Sequence, residues 1–142
     1  MKNNHLVELQ PNKMPFLFLE DLVEVIPEKK VVNEYYLDDD LWFFKCHWEN
    51  DPNMPAMLQL EAMSQTASIC LFSLKPPPQK LYLVSIDNAS FRKKIKPKMK
   101  IEITSIFLEK TQNIYKFKSI IREKETRTLL SKSFLKLLWP EN

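Results

Sequence analysis

Hydrophobic and polar residues along this chain follow two different patterns. Ile101, Ile103, Ser105 and Phe107 recur at every second position, as do Tyr115, Phe117, Ser119 and Ile121. A period of two places alternate side chains on opposite faces of a strand, so both runs predict strands with one covered face. Positions 16–26 and 31–37 are also rich in aromatic and β-branched residues and predict further strands, and 81–89 and 128–139 are read as two more. Pro27-Glu28-Lys29-Lys30 separates the first two and predicts a hairpin turn. Lys110-Thr111-Gln112-Asn113 and Glu123-Lys124-Glu125-Thr126 predict antiparallel neighbours later in the chain.

Positions 55–74 break the strand pattern: Met, Leu, Ala, Gln, Glu and Ser dominate, and neither Lys nor Arg occurs there. Apolar residues lie nearly all round the helix this predicts, which places it in the interior rather than on the surface. Pro55 suits its first turn, and Lys75-Pro76-Pro77-Pro78 ends it. Before it, Leu41-Trp42-Phe43-Phe44 forms a short apolar segment ending at Lys45-Cys46-His47, and residues 48–54 form a loop. A hairpin, one buried helix and an antiparallel meander make an α+β architecture. The sheet covers the helix with one face and leaves the other to solvent or a partner.

With 142 residues, 44% apolar and 27% charged, the chain has the composition of one soluble globular domain. Its apolar runs are too short to span a bilayer, and Glu8 interrupts the first apolar patch, so neither a membrane span nor a signal peptide is expected. The expected location is cytoplasmic. Cys46 and Cys70 lack the paired spacing of a zinc site or disulfide framework, which favours reduced thiols. A net charge of +3 is too weak to predict nucleic-acid binding, and the basic residues cluster only at Lys93, Lys94, Lys96, Lys98 and Lys100. The chain contains 0 glycines, so every left-handed backbone position must fall to Asn, Asp or a strained residue.

Glu61 is the ionisable residue inside the predicted helix, with no cation one turn away. Desolvation raises the pKa of such a carboxyl and fits it to act as an acid. Glu61, Gln65 and Ser68 fall at i, i+4 and i+7 and form one polar stripe, either the solvent edge of the helix or the wall of a substrate tunnel. His47, between an aromatic segment and a proline-containing loop, is either a general base or a histidine satisfied by backbone groups. The helix start at Pro55-Ala56-Met57 offers free N–H groups and the positive end of a dipole, both suited to a developing oxyanion.

His47, Trp48, Asp51-Pro52, Met54-Pro55, Glu61 and Gln65 together resemble the signature of the 3-hydroxyacyl-[acyl-carrier-protein] dehydratases. That signature has a histidine, an aromatic residue, a turn of the DPxMPG type, and an acidic residue within a helix. Trp42 to His47 is similar to the dehydratase/isomerase branch. Glu61 and Pro11-Asn12-Lys13-Met14-Pro15-Phe16-Leu17 are similar to the dehydratase-only branch, and Phe91-Arg92 and Ile95-Lys96-Pro97 extend the likeness.

The resemblance implies a hot-dog fold, in which a curved antiparallel sheet wraps a long helix, and a homodimer or trimer of dimers with sites at the subunit interface. His47 of one subunit would remove the proton α to the thioester carbonyl, and Glu61 of the other would protonate or position the departing β-hydroxyl. The Ala56 N–H would hold the thioester carbonyl, and Gln65 would join it in binding substrate. The implied partner is an acyl carrier protein presenting a phosphopantetheine-linked substrate; the basic cluster at Arg92, Lys93, Lys94 and Lys96 either docks this acidic protein or is a solvated strand edge that charge protects against aggregation. No metal, redox cofactor, nucleic acid or membrane is implied.

The chain departs from the family pattern where Cys46, Ala56 and Lys98 replace glycines. If position 56 needs positive φ, the Ala56 methyl strains the backbone and misaims its N–H. Two other classes stay open: a non-catalytic hot-dog partner subunit, and a hot-dog acyl thioesterase.

Overall fold

The computed structural model describes residues 3–140. After a short 3-10 helix at Asn4–Leu9, strands β1 (Asp21–Ile26) and β2 (Lys30–Tyr36) form the expected hairpin. A single helical turn, α1 (Trp42–Cys46), precedes the long helix α2 (Ala56–Phe72). Strands β3 (Tyr82–Phe91), β4 (Lys100–Thr111), β5 (Ile114–Glu123) and β6 (Leu129–Leu138) complete one six-stranded antiparallel sheet, in the order β1-β2-β4-β5-β6-β3.

The sheet's inner face follows the two-residue period. Ile101, Ile103, Tyr115, Phe117, Ile121, Leu135 and Leu137 are buried against α2, while the residues between them face outward. On α2 every residue from Gln59 to Phe72 is buried except Glu61. A helix enclosed on so much of its surface gains about 1.5–3 kcal/mol for each large apolar side chain removed from water. Serines sit where the helix comes closest. Ser105, Ser119 and Ser133 stand opposite one another on three adjacent strands, and Ser105 Oγ donates to the Met63 carbonyl of α2 at 3.3 Å. Small side chains in that row let α2 settle against the sheet without leaving their hydroxyls unpaired, since Ser105 and Ser119 share a hydrogen bond at 2.7 Å.

Three local expectations change. Residues 16–20 carry strand-like residues but stay outside β1, because their polar backbone groups are taken by side chains. Gln65 binds the Phe16 carbonyl and the Phe18 N–H, and Asn33 Oδ1 accepts from the Glu20 and Asp21 N–H groups. The apolar segment before His47, which residue pattern alone assigned to no element, is helical and buries Phe43 and Phe44. Pro55 caps α2 with φ −56° and ψ 141° rather than entering its first turn.

The absence of glycine leaves left-handed φ on Glu28, Trp48, Asn88, Lys98, Gln112 and Arg127. Only Asn88 belongs to a type that tolerates this conformation readily, so strain supplies the remainder, at about 1–2 kcal/mol each. Lys98 shows why the fold accepts it: its N–H bonds the Leu37 carbonyl at 2.6 Å while the Leu37 N–H bonds the Met99 carbonyl at 2.9 Å. Two backbone bonds thus lock the turn that leads into β4. Ala56 is not among the positive-φ residues, so its methyl group imposes no strain at the start of α2.

Candidate active site

Two side chains with acid–base chemistry are held by different means on either side of the α2 N-terminus. His47 follows α1 and is half-buried, with Nδ1 at 2.9 Å from the Asn53 carbonyl. A carbonyl only accepts, so Nδ1 carries the hydrogen and Nε2 keeps the lone pair. Asn53 is itself fixed, its Nδ2 donating to the Asp51 carbonyl at 2.8 Å, and the Met54 N–H bonds the Ile95 carbonyl at 2.9 Å. Trp48 stacks on the imidazole with ring centroids 5.1 Å apart and planes at 26°. Its left-handed φ of 60° is a costly conformation for a bulky residue, and strain of this kind clusters at functional sites.

Glu61 projects from α2 into a cleft of about 210 Å³. Ser64, Gln65, Ser68 and Phe72 of the same helix line it, faced by Gln10, Pro11 and Asn12 and by Leu81, Tyr82, Leu83 and Leu137. The stripe Glu61, Gln65 and Ser68 is therefore a cleft wall rather than a solvent edge. Burial pushes the Glu61 carboxyl above the ordinary carboxylate range, opposed by the hydrogen bond from Gln65.

The Gln65 amide has one consistent orientation. The Phe18 N–H at 2.8 Å can only donate, so it meets Oε1; Nε2 then donates to Glu61 Oε2 at 2.8 Å and to the Phe16 carbonyl at 3.0 Å. Two long-range bonds, to the Phe16 and Phe18 backbone, thus hold the amide that aims the carboxyl group of Glu61.

Ala56 lies apart from this cleft. With Asn53, Gln59, Phe91, Arg92, Lys93 and Lys94 it borders a separate groove of about 210 Å³. The Leu58 and Gln59 N–H groups bond the Pro55 carbonyl, so the N–H groups of Ala56 and Met57 are the ones left over at the helix start. Arg92, Lys93, Lys94 and Lys96 are all exposed, and Lys94 pairs with Asp51. Lys93, Lys94 and Lys96 also border a larger groove of about 340 Å³.

Within one chain, then, Glu61 and Gln65 share a cleft that His47 and Ala56 do not line. Neither the Asn53 carbonyl that fixes His47 nor the Phe16 and Phe18 backbone groups that fix Gln65 could be read from residue pattern. Backbone acceptors leave no mark on residue type. The Pro11-Asn12 segment was visible only through its likeness to the dehydratase-only branch.

A sequence model of the FabA-like domain matches residues 10–126. The 3-hydroxyacyl-[acyl-carrier-protein] dehydratase FabZ of Bartonella bacilliformis is 33% identical over 124 residues, covering 86% of this chain and 80% of its own. FabZ of Geotalea uraniireducens is 33% identical over 112 residues, covering 75% and 77%. Among solved structures, the dehydratase heterocomplex ApeI:P from Xenorhabdus doucetiae matches with a TM-score of 0.80 at 15% identity, covering 96% of this chain and 91% of that one. Thioesterase superfamily member 2 from Mus musculus matches with a TM-score of 0.75 at 15% identity, covering 99% and 98%. Identities this low establish the fold alone, which is the hot-dog fold. From the sequence matches, the chain belongs to the FabA-like family.

Proposed function

We propose that this protein dehydrates a 3-hydroxyacyl thioester, carried on acyl carrier protein, to the trans-2-enoyl thioester. The observation that carries the reading is the Glu61 carboxyl, raised by burial at a cleft wall and aimed by Gln65. Burial favours the protonated form of this carboxyl, the form that can donate to the departing β-hydroxyl.

In the reaction, His47 Nε2 takes the proton from Cα, the electron pair forms the Cα–Cβ double bond, and the Cβ–O bond breaks. Glu61 gives its proton to the leaving oxygen, which departs as water. The Ala56 N–H, at the positive end of α2, holds the thioester carbonyl as enolate character develops. Gln65 acts as a positioning group here, because all three of its hydrogen bonds are made within the chain; this is narrower than a substrate-binding role.

His47 and Glu61 meet across a homodimer in this reading, with the exposed apolar edge of β3 as the pairing surface. Tyr82, Leu83, Val84, Ile86 and Phe91 are all exposed along that edge strand, an arrangement that proteins otherwise avoid. Arg92, Lys93, Lys94 and Lys96, beside the α2 N-terminus, receive the acidic carrier protein. The reaction takes place in the cytoplasm.

The test is incubation of the purified protein with 3-hydroxyacyl carrier proteins of several chain lengths, following the enoyl product by mass spectrometry. His47→Ala and Glu61→Ala each lower turnover by about 10²–10⁴-fold, the usual contribution of a general acid or base. Absence of product at every chain length overturns the activity, and wild-type rates in either variant overturn the assignment of roles.

A further inference from the structure

The cleft beside Glu61 is unlike a channel for plain hydrocarbon. Phe72, Leu81 and Leu137 contribute apolar surface, but Gln10, Asn12, Ser64 and Ser68 contribute as much polar wall. Most of these groups are already satisfied. Ser68 Oγ donates to the Gln65 carbonyl at 2.6 Å, and Gln10 Nε2 donates to Asn12 Oδ1 at 2.8 Å.

Ser64 is the exception. It is 9% exposed, lines the cleft one turn beyond Glu61, and its hydroxyl makes no hydrogen bond to any described residue. A mid-helix hydroxyl either bonds the carbonyl four residues back, as Thr66 does with Ala62 at 2.9 Å, or faces water, and the Ser64 hydroxyl faces the water of the cleft. A hydrocarbon laid against Ser64 would strip its hydroxyl of water and offer nothing in return. An oxygen atom on the acyl chain would complete it. Sites with a polar group of this kind discriminate strongly against analogues that lack the partner.

The spacing along α2 locates that oxygen. Ser64 lies three residues after Glu61, about 4.5 Å along a helix rising about 1.5 Å per residue. An extended carbon chain, with bonds of about 1.5 Å, advances about 1.3 Å per bond. The carbon that bears this oxygen therefore falls about three to four bonds beyond the carbon whose hydroxyl meets Glu61.

We propose that this cleft selects a 3-hydroxyacyl chain with a second oxygen, as hydroxyl or carbonyl, on a carbon about three to four bonds beyond the β-carbon, bound by the Ser64 hydroxyl. The substrate class is thus an oxygenated, polyketide-like acyl chain rather than a plain fatty acyl chain. The inference rests on the dehydratase reading for the position of the reacting carbon.

The experiment compares N-acetylcysteamine thioesters of 3-hydroxyoctanoate and of its 6-hydroxy and 7-hydroxy derivatives, by kcat/KM for the full-length protein and by calorimetric binding. At least one oxygenated thioester gives roughly tenfold or more higher kcat/KM and tighter binding than the plain one. Ser64→Ala, which puts a better helix former at the site and so keeps the fold, reduces that ratio to within about twofold. Equal or better performance by the plain chain, or an unchanged ratio in Ser64→Ala, overturns the subsite. If no thioester is dehydrated but binding still discriminates through Ser64, the subsite stands and the dehydratase reading falls. Equal binding of all three overturns the subsite whether or not turnover occurs.

Discussion

Replacing Gln65 with leucine tests the frame that aims Glu61. The two side chains are similar in size, so the change removes polar contacts and leaves little cavity. Gln65 is 1% exposed and so is Phe18, whose N–H loses its acceptor with no water to replace it. A stranded buried donor costs about 1–3 kcal/mol, and the lost bond to Glu61 adds about 1 kcal/mol, for a total of about 2–4 kcal/mol. The Phe16 carbonyl adds little, because Phe16 is exposed and water can take over.

Against a typical stability of about 5–15 kcal/mol, this is a large loss that still leaves a folded protein. Urea unfolding at fixed protein concentration should show the midpoint falling by roughly 1–2 M with an unchanged slope. The same variant loses the hydrogen bond that opposes burial at Glu61, so its carboxyl pKa moves further up. The alkaline limb of the kcat/KM profile, where Glu61 gives up its proton, moves to higher pH accordingly. A destabilisation below about 0.5 kcal/mol, within the range of an ordinary surface substitution, refutes the three-bond frame.

Glu61→Gln should stabilise the protein in a pH-dependent way. Because the folded carboxyl is raised, the native residue contributes most below the ordinary carboxylate pKa and loses that contribution as pH rises through the raised value. The melting-temperature advantage of the variant therefore grows from about pH 4 to pH 8, and a constant advantage contradicts the burial argument. Lys93→Glu combined with Lys96→Glu should raise KM for a carrier-linked substrate by about tenfold at low salt. The difference shrinks as salt screens it, and KM for a small thioester changes little. Equal effects on both substrates would place these lysines outside the docking surface. Lys98→Gly, at φ 67°, relieves left-handed strain but loosens the unfolded chain, for a net gain of about 0–1 kcal/mol by calorimetry. A clear loss would show that the lysine stem contributes packing that outweighs the strain.

Much of the fold was written in periodicity. The alternation in β4 and β5, the turns between β4, β5 and β6, and the cation-free run that becomes α2 all follow from which residues want water. These signals are local, and strand and helix differ in period. Pairing of β3 with the far edge of β6, and of β2 with β4, was not legible. Those contacts join residues distant in the chain and depend on the sheet closing round α2.

The candidate site divides along the same line. Residue types and spacing alone singled out Glu61 as a carboxyl on a buried helix, and the polar stripe through Gln65 and Ser68. His47 needed the resemblance to rise above a histidine bonded to backbone. It is in fact bonded to backbone, at the Asn53 carbonyl, and that bond is what leaves Nε2 free. Sequence also left open whether Ala56 strains the start of α2; its backbone conformation settles that it does not. Side-chain chemistry is carried by the sequence, but which acceptors stay paired and which hydroxyl stays free is decided by backbone groups brought together from distant segments.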